Sequence, residues 1–446
     1  MDRSAEDGLR NGLINETVID AVRYSDFYRK LYGEIDVEQI TSIEDLSLLP
    51  TIDKEAVREA GEAMLCEGKT CGYMQNTSGS TGELLVMFRS IEEAEFIQEF
   101  FMRVHASKER TGLRSLVLSL ATPSHGTPTA IPSPQFVLSH AIIDNETALQ
   151  TVRILRRSYT IPGVESRVTL LSGALSQILI LTEYIMAENI PAEEFGIQYI
   201  IPTGRYVTRR FRTLLEKFWG AVVIDRYSLS EIFGGATSCG QCGGYHFDPQ
   251  VIPEVIDLKD SRVLDKGVGA LVLTSLSPFV QLHPFIRYRT GDLFSLDPDI
   301  CAMRSYRFLG RIKHSLFDPV VPDRILLNGV DLWEVLDQLP IIRRTERSQT
   351  LTNLQVPIAA GTVRHRNNTL SVELNVEAVT DLRLFTNAQE EVEEDIRKSL
   401  LEVSPNLSDD IENGSVEFVV RVVPPGTLPV QDLLPFEKKT PLWQFL

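Results

Sequence analysis

The hydrophobic texture of the chain changes twice along its length, and this succession constrains the fold more tightly than any single motif. From about residue 115 to 235, apolar strands such as SLVLSL alternate with helices, one of which carries Phe211, Leu214, Leu215, Phe218 and Trp219 and runs straight into the strand AVVID. That alternation is the signature of α/β layering. After residue 250 the helices thin out, and VIPEVIDL, GALVLTSL and PFIRYRTGDLFSL read as strands separated by polar or glycine-containing turns, which predicts a β-rich subdomain. Beyond LGRIKHS, an alternating strand TLSVELNV, a helix with Val392, Ile396 and Leu400 on one side and the strand SVEFVVRVV predict a compact α+β unit. A chain of 446 residues also exceeds the roughly 250 to 300 residues that one core sustains. The expected organisation is a large α/β domain over 1–312 and a small α+β domain over 313–446, with a short joint near Lys313.

The first seventy residues read as a helical scaffold. Apolar residues recur through INETVIDAVRYSDFYRKLYG and DKEAVREAGEAML, with a break at Leu48, Leu49 and Pro50. The most apolar helical stretch, Leu170 to Met186, contains Ser172, Ser176, Gln177 and Glu183, so no membrane span is expected. The segment MDRSAEDGLR lacks the apolar core of a signal peptide. A formal net charge of -17 argues against nucleic acid or anionic membrane as a partner, since both are bound through an excess of Lys and Arg. Five cysteines in so long a chain do not make a secreted disulfide framework. They are thiols or metal ligands, and a reducing, cytoplasmic setting is expected.

The loop NTSGSTGE, residues 76–83, lies between two expected strands. Gly79 and Gly82 permit tight turns, while Thr77, Ser78, Ser80 and Thr81 offer hydroxyl and backbone N–H donors to phosphate oxygens. A plain Ser/Gly turn is the alternative that the loop alone leaves open. A kinase-type P-loop does not fit. Its Gly-Lys-Ser/Thr ending is absent, Glu83 follows the last glycine, and an apolar strand comes next instead of a helix.

In order along the chain stand DFYRKLYG, the TSGSTG loop, YSLSE at 227–231, PEVID at 253–257, RYRTGDL at 287–293, LGR at 309–311 and ILLNGVDLWEVL at 325–336. Across nearly the whole chain this series resembles the acyl-adenylate-forming (AMP-binding) superfamily, most closely its phenylacetate-CoA ligase branch. The resemblance implies an N-terminal domain of layered α/β and β-rich subdomains with a small mobile α+β lid. It also implies a two-step reaction, in which ATP and magnesium turn a carboxylic acid into an acyl-adenylate and the thiol of coenzyme A then attacks the acyl carbon. Thr77, Ser78, Gly79, Ser80, Thr81 and Gly82 would cradle the phosphates, with Ser230 in the same nucleotide-binding set. Tyr227 would stack on adenine, Asp292 would accept the ribose hydroxyls, and Arg311 would reach the ribose or a phosphate. Glu231 would hold magnesium through a hard carboxylate oxygen. Lys439, or its neighbour Lys438 in LLPFEKKTPL, would meet the negative charge on the α-phosphate. The acid pocket is expected near Ser124, His125 and Gly126 and around Phe233, Gly234 and Gly235, where Phe233 suits an aromatic or arylacetic acid.

Cys239, Cys242 and His246 fall within eight residues in SCGQCGGYHF, supplying three soft or borderline ligands on a glycine-rich loop, with Cys301 as the candidate fourth. Four protein ligands would close a zinc shell and make the site structural. Free thiols in a glycine turn are the alternative. The chain departs from the family pattern at several positions: Ser228 stands for a glycine, Glu83 for a lysine, and Lys313-His314 for an acidic pair at the hinge, followed by the insertion FDPVVPD. Two other readings therefore stand beside coenzyme A ligation. One is adenylation with transfer to a carrier-protein phosphopantetheine arm or to an amine. The other is a non-catalytic relative that binds its ligand without turnover.

Overall fold

The structure, a computed structural model, describes residues 3–76, 85–106, 113–120, 136–321, 323–342, 357–366, 369–428 and 442–445. The α/β texture forms a five-stranded parallel sheet in the order Phe136–His140, Arg114–Leu120, Val164–Ala174, Tyr199–Thr203, Val222–Val223. Leu116, Val117 and Leu118 are all buried, as a parallel sheet covered on both faces requires. Helices Asn145–Arg156, Leu175–Ala187 and Arg209–Trp219 share its core, the last through the stripe Phe211, Leu215 and Trp219. Two details differ from the sequence reading. The apolar run from Leu170 is strand as far as Ala174, and the helix begins only at Leu175. Strand and helix here are both buried on nearly every side, so periodicity cannot divide them. AVVID is a strand only at Val222–Val223, at the sheet edge.

The β-rich region is a seven-stranded sheet in the order Val251–Ile256, Gly267–Ser275, Tyr288–Asp297, Ser305–Arg311, Tyr245–Phe247, Gly235–Ser238, Arg226–Ser228, with every neighbour antiparallel. Helices Arg3–Tyr24 and Asp26–Leu31 pack into its core through Ile14, Val18, Ala21 and Tyr28. The amino-terminal segment is also stitched to the sheet. The Ile52 N–H donates to the Arg287 carbonyl at 3.0 Å, and the Arg289 N–H donates back to the Ile52 carbonyl at 2.7 Å. Helix Lys54–Ala60 starts immediately afterwards, with Asp53 as its N-cap, and ends where Gly61 turns to φ +51°.

The last unit is a four-stranded sheet, Val416–Val423, Thr369–Glu377, Ala359–Arg366 and Trp443–Phe445, which shares a core with helices Gly329–Gln338 and Ala388–Val403. Among the described residues, no hydrophobic core draws on both sides of residue 312. No described helix is long and apolar enough to cross a membrane.

Candidate active site

Sheet register brings the first group of residues together. Asp292 and Arg311 are cross-strand partners, and the Arg311 Nε lies 3.0 Å from Asp292 Oδ1. Tyr227 arrives on the edge strand Arg226–Ser228 and donates its hydroxyl to Asp292 Oδ2 at 2.7 Å. Arg311 also donates to the Thr290 carbonyl at 2.9 Å. Asp292 is buried, with 1% of its surface exposed, so its charge depends on protein partners such as these and not on solvent. Asp292 in turn raises the Arg311 pKa above its ordinary value. Burial, followed by Asp292, pushes the Tyr227 phenol up. The Tyr227 ring is half-buried and braced edge-on by Phe294, with centroids 5.0 Å apart. Gly235 makes this edge possible, because a Cβ there would lie 2.1 Å from the Tyr227 carbonyl oxygen.

Glu231 sits in the turn after that strand and is buried. Its Oε1 accepts the Tyr288 hydroxyl at 3.2 Å and faces the Lys54 ammonium at 3.5 Å. The buried Arg89 donates to the Glu231 carbonyl at 3.2 Å, fixing the backbone of the turn. Burial pulls the Lys54 pKa down while Glu231 opposes the shift. Lys313, half-buried in the turn after Arg311, is brought down to about 8 by burial and then by Arg311. The sequence reading took the segment containing Lys54 as scaffold; Asp53, a helix-capping type just before a helical run, was the one local sign that this lysine starts a helix.

Phe233 stacks on Phe279 at 6.2 Å with an interplanar angle of 14°, and Phe279 meets Phe96 edge-on at 5.1 Å. Gly234 follows with φ +105°. Ser230 lies half-buried in the Glu231 turn. Thr77, Ser78, Gly79, Ser80, Thr81, Gly82, Ser124, His125, Gly126, Lys438 and Lys439 lie outside the described residues. The strands on either side of 77–84 form the expected pair, with Asn76 opposite Val86.

The four sulfur and nitrogen ligands also converge. The ligand atoms of Cys239, Cys242, His246 and Cys301 all lie within 4.8 Å of one another, close to the spacing of about 3.5 to 3.8 Å that a tetrahedral zinc shell imposes. His246 Nδ1 is held at 3.0 Å by the Arg304 carbonyl, while Nε2 stands 3.7 Å from Cys242 Sγ. A backbone carbonyl on one ring nitrogen is the usual way of directing the other to a metal. Backbone N–H donation from Cys242 draws the Cys239 thiol down to about 6, a direction that favours a thiolate.

No family model and no curated protein matches the sequence. The fold is that of the adenylate-forming ligases. Among solved structures, 2-hydroxyisobutyryl-CoA ligase in the postadenylation state with 2-HIB-AMP superposes with a TM-score of 0.68 at 17% identity, over 100% of this chain and 90% of that one. The same ligase in the thioesterification state gives 0.59 at 18% identity, with coverage of 100% and 90%. ATP-bound MatB from Rhodopseudomonas palustris gives 0.51 at 15% identity, covering 83% of this chain and 68% of that one. At these identities the likeness is one of fold.

Proposed function

We propose that the protein is an ATP-dependent carboxylic acid ligase of the phenylacetate-CoA ligase type, which forms an acyl-adenylate and then an acyl-CoA thioester from an aromatic or arylacetic acid. The observation that carries this reading is the joining of Tyr227 and Asp292 by a hydrogen bond and of Asp292 and Arg311 by an ion pair, near the buried Glu231, on a fold shared with acyl-CoA ligases. The Tyr227 ring offers a face for adenine. Asp292 accepts the ribose hydroxyls, which requires Arg311 or Tyr227 to yield a contact, because the carboxylate is sealed in the free protein. Glu231 is the hard ligand for magnesium. The loop Thr77 to Gly82 holds the phosphates, and Lys439 or Lys438 neutralises charge at the α-phosphate. The stacked Phe233 and Phe279 provide an apolar wall that suits an aromatic ring.

Residues 1–312 form the large domain and 313–446 the lid, a division supported by cores that do not mix across residue 312. The higher score against the postadenylation state than against the thioesterification state of one and the same ligase supports a lid standing in the former arrangement. Zinc, held by Cys239, Cys242, His246 and Cys301, staples the loop after Gly235–Ser238 to the turn before Ser305–Arg311.

The decisive experiment is an acid-dependent pyrophosphate release screen with MgATP across aryl, arylacetic, fatty and amino acids, with and without coenzyme A. One responding acid class, converted to its acyl-CoA, is the expected result. Adenylate that accumulates despite coenzyme A would move the acceptor to a carrier-protein thiol or an amine, and silence with every acid would sink the ligase reading. Metal analysis of the same protein should give near-stoichiometric zinc that is lost in Cys239→Ser; metal-free protein of equal stability would retire the zinc site.

A further inference from the structure

Lys54 belongs to no motif that the sequence offers, yet the fold delivers it to Glu231. The delivery is rigid. Ile52 is hydrogen-bonded in both directions to the backbone on either side of Tyr288, Thr51 accepts from Arg289 Nε at 2.8 Å, and the Asp53 side chain caps the helix through the Ala56 N–H at 2.9 Å. Lys54, in the first turn of that helix, has no freedom of placement other than its own side chain.

That side chain is an unusual partner for Glu231. Its Nζ stands 3.5 Å from Oε1, beyond the 2.7 to 2.9 Å or so of a full charge-assisted bond. The same oxygen already accepts the Tyr288 hydroxyl. The Lys54 side chain keeps 27% of its surface exposed, whereas Glu231 keeps 9%, so the lysine is the member of the pair that solvent reaches. The neighbourhood is also rich in positive charge. Arg58 and Arg311 act on Lys54, and Lys54 and Arg311 act on Lys313. Glu231 opposes this charge at Lys54, and Asp292 opposes it at Lys313 and Arg311. Four cations gathered around Glu231 and Asp292, in a chain whose formal net charge is -17, are an arrangement that a polyanion relieves.

We propose that Lys54 is a phosphate-contacting residue that rests on Glu231 in the free protein and turns to the polyphosphate of the nucleotide when MgATP binds. This rests on reading the cleft as an ATP site. Glu231, released from the ammonium, is then left to the metal. The amino-terminal segment thereby becomes part of the nucleotide site, and the positive charge meeting the β- and γ-phosphates comes from the large domain independently of where the lid stands.

The test is calorimetric binding of MgATP and of AMP, each to the full chain, in wild type, Lys54→Met and Lys54→Arg. AMP lacks the phosphates that Lys54 would contact, so it reports the rest of the site. Lys54→Met should lose roughly tenfold to a hundredfold in MgATP affinity while AMP affinity stays within about twofold, and Lys54→Arg should recover most of the loss. Equal losses for both nucleotides would make Lys54 a structural prop for Glu231, and no loss for either would remove it from the site; each overturns the proposal. Wild-type protein that binds AMP but gains nothing from the added phosphates overturns it too. Wild-type protein that binds neither nucleotide instead overturns the ATP-site reading on which it stands.

Discussion

Two of the pairs of carboxylates that the chain buries are placed to different ends. Glu231 and Asp292 are met by ammonium, guanidinium and phenol groups. Glu334 and Asp337, on helix Gly329–Gln338, are equally buried and are met by neutral donors as well as guanidiniums, with Arg205 acting on Asp337. Glu334 accepts the Tyr206 hydroxyl at 2.9 Å and the Arg209 N–H at 3.1 Å, and Asp337 accepts the Thr208 hydroxyl at 2.6 Å. The Arg209 and Arg210 guanidiniums that approach this pair are 72% and 42% exposed, so solvent screens most of their charge. The first pair takes the partners named above from residues 1–312. The second joins residues on either side of 312, so it ties the two parts of the chain together. Burial and acidity alone therefore do not mark a site; where the partners come from separates the two pairs.

Asp292→Ala gives the largest effect that would sharpen this contrast. Removing the carboxylate should weaken MgATP binding roughly tenfold to a hundredfold, measured by calorimetry, and unchanged affinity would take Asp292 out of the ribose site. Asp337→Ala should do the reverse, leaving MgATP affinity as it was and costing about 1 to 3 kcal/mol of unfolding free energy through the stranded Thr208 hydroxyl and lost tie. A nucleotide defect in Asp337→Ala as large as that in Asp292→Ala would break the contrast. The smallest effect concerns Lys313. Its pKa is lowered in the folded chain, to about 8 from an ordinary 10.5, so between those values the unfolded chain holds more protons and stability rises with pH. Below about 8 the penalty of the charged, half-buried ammonium is present in full. Lys313→Gln should flatten that rise in a pH series of denaturant melts; an unaltered slope would assign it to another group.

The element types were legible wherever one face of a strand or helix met solvent. Thr369–Glu377 alternates buried and less buried positions as its sequence alternates, and helix Arg209–Trp219 buries one stripe at a spacing of four. Legibility failed where both faces are covered, at the junction of Val164–Ala174 with Leu175–Ala187, because nothing polar marks the change of period. Within the candidate site, Tyr227, Glu231, Asp292 and Arg311 could be named through the resemblance, since each lies in a short segment that matches a motif of the superfamily. Lys54 could not, because DKEAVREA reads as any amphipathic helix start.

The sequence by itself determined the order of the layers, the chemical character of the candidate site residues and the Cys-x-x-Cys loop, because these depend on residue type and on spacings of a few positions. Only the tertiary structure decided that Lys54 meets Glu231 across 177 positions, that Tyr227 meets Asp292 across 65, and that Cys301 joins Cys239, Cys242 and His246. Such meetings are set by strand register and by which strands become neighbours, as when Asp292 pairs with Arg311 or Ile52 joins the strand at Tyr288. Neither register nor neighbour is written in local periodicity. They follow from the packing of all the layers at once, in which a slip of one residue would turn each of these side chains to the opposite face.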